Sequence, residues 1–296
     1  MGQTLFASLK EDQKNIALNQ CAEKILSLKQ PDYDCHSSCL IETTPNRLLG
    51  IWKGAITKGL SNIDTVEESH LWMAIQEKGK WAPPKIIYTE KTSRMIWNPV
   101  LARFPDGEIL LFFRLGPNPR QVIGMLMRSK DGGEIWTSPQ CLPAGILGPS
   151  HSKPFITSNG TLLSGSSREN GNPEDKEKAT ACFIEISKDR GKSWYLIGPL
   201  EILERRFGAL EPALVMDEQH HLRLFCRDRA RRINELGWIW TSLSTDEGIH
   251  WGPLKKTSLP NPDSGIDAIS LREGPILIAY NHDAFSQDLS SIIFII

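Results

Sequence analysis

One octet, Ser-x-Asp-x-Gly-x-x-Trp, occurs three times at nearly constant spacing, and nothing else in this chain restricts its fold as strongly. The copies are Ser129-Lys-Asp-Gly-Gly-Glu-Ile-Trp136, Ser187-Lys-Asp-Arg-Gly-Lys-Ser-Trp194 and Ser244-Thr-Asp-Glu-Gly-Ile-His-Trp251. Their tryptophans lie 58 and 57 residues apart, and a worn copy, Ile75-Gln-Glu-Lys-Gly-Lys-Trp81, precedes the first by 55. The octet has the chemistry of a hairpin turn. An aspartate accepts hydrogen bonds from turn amides, a glycine takes a positive φ at no steric cost, and a serine adds a local side-chain bond. The tryptophan then opens the next strand and packs beneath the turn. Every feature serves folding, so a structural role for Asp131, Asp189 and Asp246 outweighs a catalytic one.

Between the octets runs a second repeat: a strand, a short turn, then a very apolar strand. Its copies are His36 to Trp52, Asn98 to Arg114, Lys153 to Arg168, Glu211 to Arg227 and Gly265 to Asn281. Turn signals fall between the paired strands at Pro105-Asp-Gly107, Ser158-Asn-Gly160 and Arg272-Glu-Gly274. A third strand, such as Ile123 to Met127 or Cys182 to Ile186, then leads into each octet. Four antiparallel strands with the aspartate turn between the third and fourth make one blade of an all-β propeller. Residues 34–296 are expected to form that propeller. Residues 1–33 break the pattern, and Leu9, Ile16, Ala22, Ile25 and Leu26 predict a short amphipathic helix outside it.

With 296 residues and 40% hydrophobic content, a large core is within reach. A net charge of -1 gives no reason to expect nucleic acid or an anionic membrane as partner. The basic run Arg227 to Arg232 is short, is broken by Asp228 and Ala230, and reads as a solvated loop. Six scattered cysteines complete no zinc spacing and read as free, mostly buried thiols. No cofactor or metal is implied. The chain shows no signal peptide, membrane span or myristoylation pattern, so a cytoplasmic monomer is expected. The repeat period places a further tryptophan near position 308, whereas the chain ends within Ser290 to Ile296, which reads as the third strand of a fifth blade. About four and a half to five blades are expected, as in a propeller truncated at its C-terminus.

Octets of this form on strand pairs of this length resemble the sialidase (neuraminidase) superfamily, and more narrowly its BNR-repeat (Asp-box) branch. Trp97-Asn-Pro-Val, Leu147-Gly-Pro and Leu259-Pro-Asn-Pro-Asp-Ser-Gly-Ile-Asp267 are similar to that branch. The resemblance implies a six-bladed fold. It also implies three arginines on a sialic acid carboxylate, a tyrosine nucleophile activated by a glutamate, and an aspartate acid/base. Guanidinium forks match a carboxylate bidentately, and a phenol with a pKa near ~10 needs a base at neutral pH. Carried over by position, Glu211 falls where the activating glutamate lies and Arg227 where one arginine lies; Asp64 takes the place of the acid. The family's early Arg-Ile-Pro motif is missing, with Cys35-His36-Ser37 in that region, and Asn281-His282-Asp283 of the fifth blade offers no arginine. The nucleophilic tyrosine would belong to a sixth blade.

Inner strands of a propeller surround its axis, so their first residues converge at one face. His36, Asn98, Lys153, Glu211 and Asp267 are expected to hold equivalent places there, lining a wet pocket or bonding to neighbouring blades. Arg227 is a ligand clamp or a partner of Glu211 or Asp228. Arg114 and Arg168 end equivalent second strands and are candidates for anion contact. His36 is a candidate general base, as in some propeller lyases, or a satisfied channel histidine. The leading reading is a sialidase-like glycoside hydrolase of exo-α-sialidase type acting on terminal acidic sugars, with activity impaired in a truncated chain. The alternatives are a non-catalytic or defunct glycan-binding propeller and a polysaccharide lyase.

Overall fold

The run Ile109 to Phe113, in the second strand of its repeat, is apolar on both faces, and its place in the molecule shows why. The computed structural model describes residues 34–57, 66–92, 94–169, 180–203, 208–229, 236–272, 274–283 and 291–295. The expected N-terminal helix and Asp64 lie outside the described residues.

Five antiparallel sheets follow one another along the chain. The first holds β1 (Asp34–Thr44), β2 (Arg47–Thr57) and β3 (Val66–Glu77), with an outer edge in two pieces, β4 (Lys80–Trp81) and β5 (Lys85–Glu90), both paired with β3. The break falls at Ala82-Pro83-Pro84, where the prolines supply no N–H to the ladder. The second sheet holds β6 (Met95–Arg103), β7 (Ile109–Asn118), β8 (Gln121–Ser129) and β9 (Gln140–Cys141). The third holds β10 (Phe155–Ile156), β11 (Leu162–Glu169), β12 (Thr180–Ser187) and β13 (Tyr195–Ile197). The fourth holds β14 (Ala209–Met216), β15 (Leu222–Asp228), β16 (Trp238–Ser244) and β17 (Lys255–Pro260). The fifth holds β18 (Asp267–Ser270), β19 (Ile276–Asn281) and β20 (Ser291–Ile295), which pairs with β19 as a third strand.

Side chains alternate across a strand, so a sheet flanked on both sides must be apolar on both. In β7, Leu111 and Phe113 pack with Leu49, Ile51 and Met73 of the preceding sheet. The residues between them, Leu110 and Phe112, pack with Leu162 of the following one. The third and fourth sheets meet the same way through Leu163, Ile184, Leu224 and Trp240. Val215, Phe225, Ile276 and Ile278 join the fourth to the fifth. The core therefore lies between sheets, and the sheets stand radially as the blades of a propeller.

The octets form the turns expected of them. Asp131 Oδ1 accepts from Ser129 Oγ (2.8 Å) and from the amides of Glu134 (3.1 Å) and Ile135 (3.0 Å). Asp189 repeats the pattern with Ser187, Lys192 and Ser193. Asp246 bonds to Ser244 and to both the amide and the ring of His250. These bonds hold the Asp131 and Asp189 carboxyls below their usual range and the Asp246 carboxyl down at about 2. Each tryptophan donates its indole N–H to the box glycine, at 3.0, 3.2 and 3.0 Å. That glycine answers two demands at Gly248: φ is +89°, and an added Cβ would lie 2.1 Å from Leu163 of the preceding blade. In the worn copy, Lys78 (φ 49°) and Gly79 (φ 78°) replace the carboxylate with a left-handed pair.

Candidate functional site

Three inner strands begin with the same distortion. β1, β6 and β14 each carry a bulge, between His36 and Cys39, Trp97 and Val100, and Leu210 and Ala213. The first residue inside each bulge is left-handed without being glycine: Ser37 (φ 53°), Asn98 (φ 41°) and Glu211 (φ 54°). Such a conformation costs about 1–2 kcal/mol. Three repetitions at one end of the propeller mark a place where side chains are held in aimed positions.

The hairpins that close the inner strands set the register of the other blades. Arg103, Ile156, Met216 and Ser270 pair with Ile109, Leu162, Leu222 and Ile276, each with the same spacing in sequence. Counting back equally from these residues aligns Asn98, His151, Glu211 and Gly265. Two expected equivalents are thereby corrected, since Lys153 and Asp267 lie two residues further along their strands. In the first blade the bulge residue is Ser37, one beyond His36. In the second strands the same count aligns Arg114, Ser167, Arg227 and Asn281, with Arg168 one residue beyond.

These starting residues are joined around the axis. Ser37 Oγ donates to Asn98 Oδ1 (3.1 Å), and Asn98 Nδ2 donates to the Ser150 carbonyl (2.5 Å). Ser152 Oγ donates to the Ile266 carbonyl (3.2 Å). At the fourth blade, Arg227 Nη1 donates to Glu211 Oε2 (2.8 Å), while Nη2 and Nε donate to Asp263 Oδ1 (2.8 and 3.2 Å). Arg229 pairs with Glu169 (2.6 Å) and Asp263 (3.5 Å). Burial alone would raise the Glu211 carboxyl, but the charge and hydrogen bond of Arg227, helped by the charge of Arg229, outweigh it and hold Glu211 below its usual value. Burial likewise disfavours the Arg227 cation, but Glu211 and Asp263 outweigh it and keep the guanidinium firmly charged. Glu211 is therefore an ionised carboxylate at the mouth of the propeller, capable of accepting a proton or a hydrogen bond.

Other predicted site residues have different surroundings. Arg114 is buried and bridges the second blade to the third, donating to Ser167 O (3.1 Å), Gly148 O (3.0 Å), Ser150 Oγ (3.0 Å) and Ser166 Oγ (3.3 Å). Arg168 donates to the Gly145 carbonyl and lies 4.5 Å from the centre of the Phe183 ring. Lys153 reaches the Leu40 carbonyl at 3.4 Å and lines an axial cavity of about 560 Å³. That cavity is walled by the later halves of the inner strands, with Glu42, Leu101, Arg103 and Ser270 among its lining, so it lies beyond the mouth. Asp267 Oδ1 accepts from the adjacent Ala268 amide (3.0 Å). His36 is exposed on β1, opposite Lys53. His282 Nδ1 lies 2.6 Å from the Tyr280 hydroxyl, whose pKa burial pushes up to about 12. A larger cavity than the axial one, about 940 Å³, is at the opposite end, between the octets of the second and third blades. Asp131 and Asp189 there are engaged in turns and Glu108 is paired with Arg128 and Arg190, so its size does not make it a catalytic centre.

Asp263 and His151 are not among the candidate site residues of the sequence, and Gly265 enters there only as the start of the fifth strand pair. Two of them stand in the stretch Leu259 to Asp267 that carries the family resemblance, and His151 follows Leu147-Gly-Pro by one position beyond Ser150.

The sequence matches the family model of the BNR repeat-like domain over residues 46–291. No curated protein matches the chain. Among solved structures, a protein of unknown function from Dyadobacter fermentans superposes with a TM-score of 0.69 at 18% identity, covering 90% of this chain and 84% of that one. A Hadza microbial sialidase gives 0.68 at 17% identity, covering 88% of this chain but only 55% of its own length. An intramolecular trans-sialidase from Ruminococcus gnavus, solved with oseltamivir carboxylate, gives 0.65 at 11% identity, covering 88% and 80%. At these identities the likeness carries the fold alone. The family match and the shared architecture agree: the chain belongs to the BNR repeat-like domain family, and its fold is a sialidase-like β-propeller.

Proposed function

We propose that this chain is a sialidase-like glycoside hydrolase acting on a terminal sugar of glycans at the propeller mouth, with Glu211 as its working carboxylate. One observation supports this above all. Glu211 is kept ionised in a strained conformation at the start of an inner strand, 2.8 Å from a guanidinium that a second carboxylate also holds. A carboxylate in that state serves as a base toward a hydroxyl nucleophile. Arg227 acts through Glu211 and Asp263 and is a positioning residue in this reading. An acidic sugar would have to draw Arg227 away from Asp263 to gain a bidentate contact.

The engagement of Arg114 and Arg227 by protein acceptors favours one alternative, glycan binding without turnover. A panel of fluorogenic sialosides, uronides and neutral glycosides separates the two. Hydrolysis of one class is expected, falling about 10²- to 10⁴-fold in kcat/KM for Glu211→Gln. Equal rates for both proteins would remove Glu211 from the chemistry. Binding without any hydrolysis would leave only the alternative.

A further inference from the structure

Gly265 begins the fifth blade at the place that Glu211 holds in the fourth and His151 in the third. An ideal Cβ on Gly265 would stand 3.5 Å from His151 Nε2 and 3.9 Å from Glu211 Oε2. The absent side chain thus leaves a slot with an imidazole on one side and a carboxylate on the other. All three residues are partly exposed. His151 Nδ1 is buried without a hydrogen-bond partner. A proton there would be a stranded donor, so the neutral ring carries its proton on Nε2, facing the slot. Glu211, held ionised by Arg227, offers only acceptors. The slot therefore presents one donor and one acceptor, with no unengaged guanidinium from Arg227.

We propose that His151 and Glu211, with Gly265 as floor, form a hydrogen-bonding slot for two vicinal hydroxyls of a neutral face of a sugar. One hydroxyl donates to Glu211 and its neighbour accepts from His151 Nε2. This rests on the mouth being a glycan site, and it assigns the recognition there to hydroxyls rather than to a carboxylate. His151 is then a binding residue that contacts the ligand directly.

The floor can be tested with little disturbance. Gly265 is not left-handed, and the distances to an added methyl are ordinary van der Waals contacts, so Gly265→Ala should keep the fold. The probes are the methyl glycosides of galactose, glucose and fucose, together with N-acetylneuraminic acid, followed by saturation-transfer NMR and calorimetry on the full chain. At least one neutral glycoside should bind. Gly265→Ala and His151→Phe should each weaken it about 10- to 100-fold with an unchanged melting temperature, the effect of losing a hydrogen bond to a charged or buried partner. His151→Gln, which keeps a donor, should recover part of the loss. Unchanged affinity in both Gly265→Ala and His151→Phe would overturn the slot, as would binding of N-acetylneuraminic acid alone. Should Gly265→Ala unfold, the His151→Phe and His151→Gln pair decides. Binding that follows this pattern without hydrolysis would uphold the slot while the hydrolase reading fails. Hydrolysis unaffected by either His151 variant would do the reverse, and no binding by any probe would overturn the slot.

Discussion

Replacing Gly165 by alanine destabilises the protein by about 3 kcal/mol, a loss typical of forcing atoms into a packed interior. Gly165 lies in β11 of the third blade, and an added Cβ would stand 2.2 Å from the Pro212 carbonyl oxygen and 2.7 Å from Leu214 Cδ1. The oxygen belongs to the backbone of the β14 bulge, next to Glu211, so no rotamer change relieves the clash. Either the third blade retreats from the fourth or the bulge moves and carries Glu211 with it. Gly252→Ala is the control, since its nearest neighbour would be Leu243 O at 3.8 Å. Urea titrations of both variants check the expectation. A Gly165→Ala midpoint indistinguishable from that of Gly252→Ala would mean that the blades are not packed as described.

Arg227→Met should cost about 3 kcal/mol, the lower end for breaking a buried ion pair. The low end applies because the side chains remain 17% exposed for Arg227 and 14% for Glu211, with Asp263 at 8%. The variant leaves Glu211 and Asp263 facing each other with Arg229 as the nearby cation. The deficit should depend on pH in a fixed direction. In the natural chain the folded-state pKa of Glu211 is depressed, so its pairing stabilises fully above the unfolded value near ~4.3 and is lost as pH falls through the folded value. The gap in melting temperature between the two proteins should therefore narrow below about pH 4. A double variant, Arg227→Met with Glu211→Gln, should recover part of the loss in a mutant cycle. A gap that widens on acidification, or a loss no larger than that of a surface substitution, would show that the pair is not the buried link inferred here.

The blades were legible because their signals are local. An Asp turn needs its serine, glycine and tryptophan within eight residues, and a strand packed on both faces needs an unbroken apolar run such as Ile109 to Phe113. The mouth was legible only in part. Counted back from the closing hairpins, the Pro after Lys153 lies two residues nearer the turn than those after Asn98 and Glu211, so aligning the blades on that Pro slides the third blade by two positions and hides His151 behind Lys153. Gly265 bears no polar group, so the sequence directs attention to Asp267 instead. The partners of Arg227 were half visible: Glu211 lies across the same hairpin, whereas Asp263 comes from the connection between the fourth and fifth blades. The family resemblance pointed to Arg227 as a carboxylate clamp, and the structure shows both carboxylates to be the protein's own.

Crystals of Glu211→Gln soaked with whichever glycoside the natural chain turns over or binds would locate the ligand directly. Sugar density over the starts of the inner strands, within hydrogen-bonding distance of residue 211 and His151, is the expected result. Density confined to the groove between the octets of the second and third blades, with an empty mouth, would contradict it.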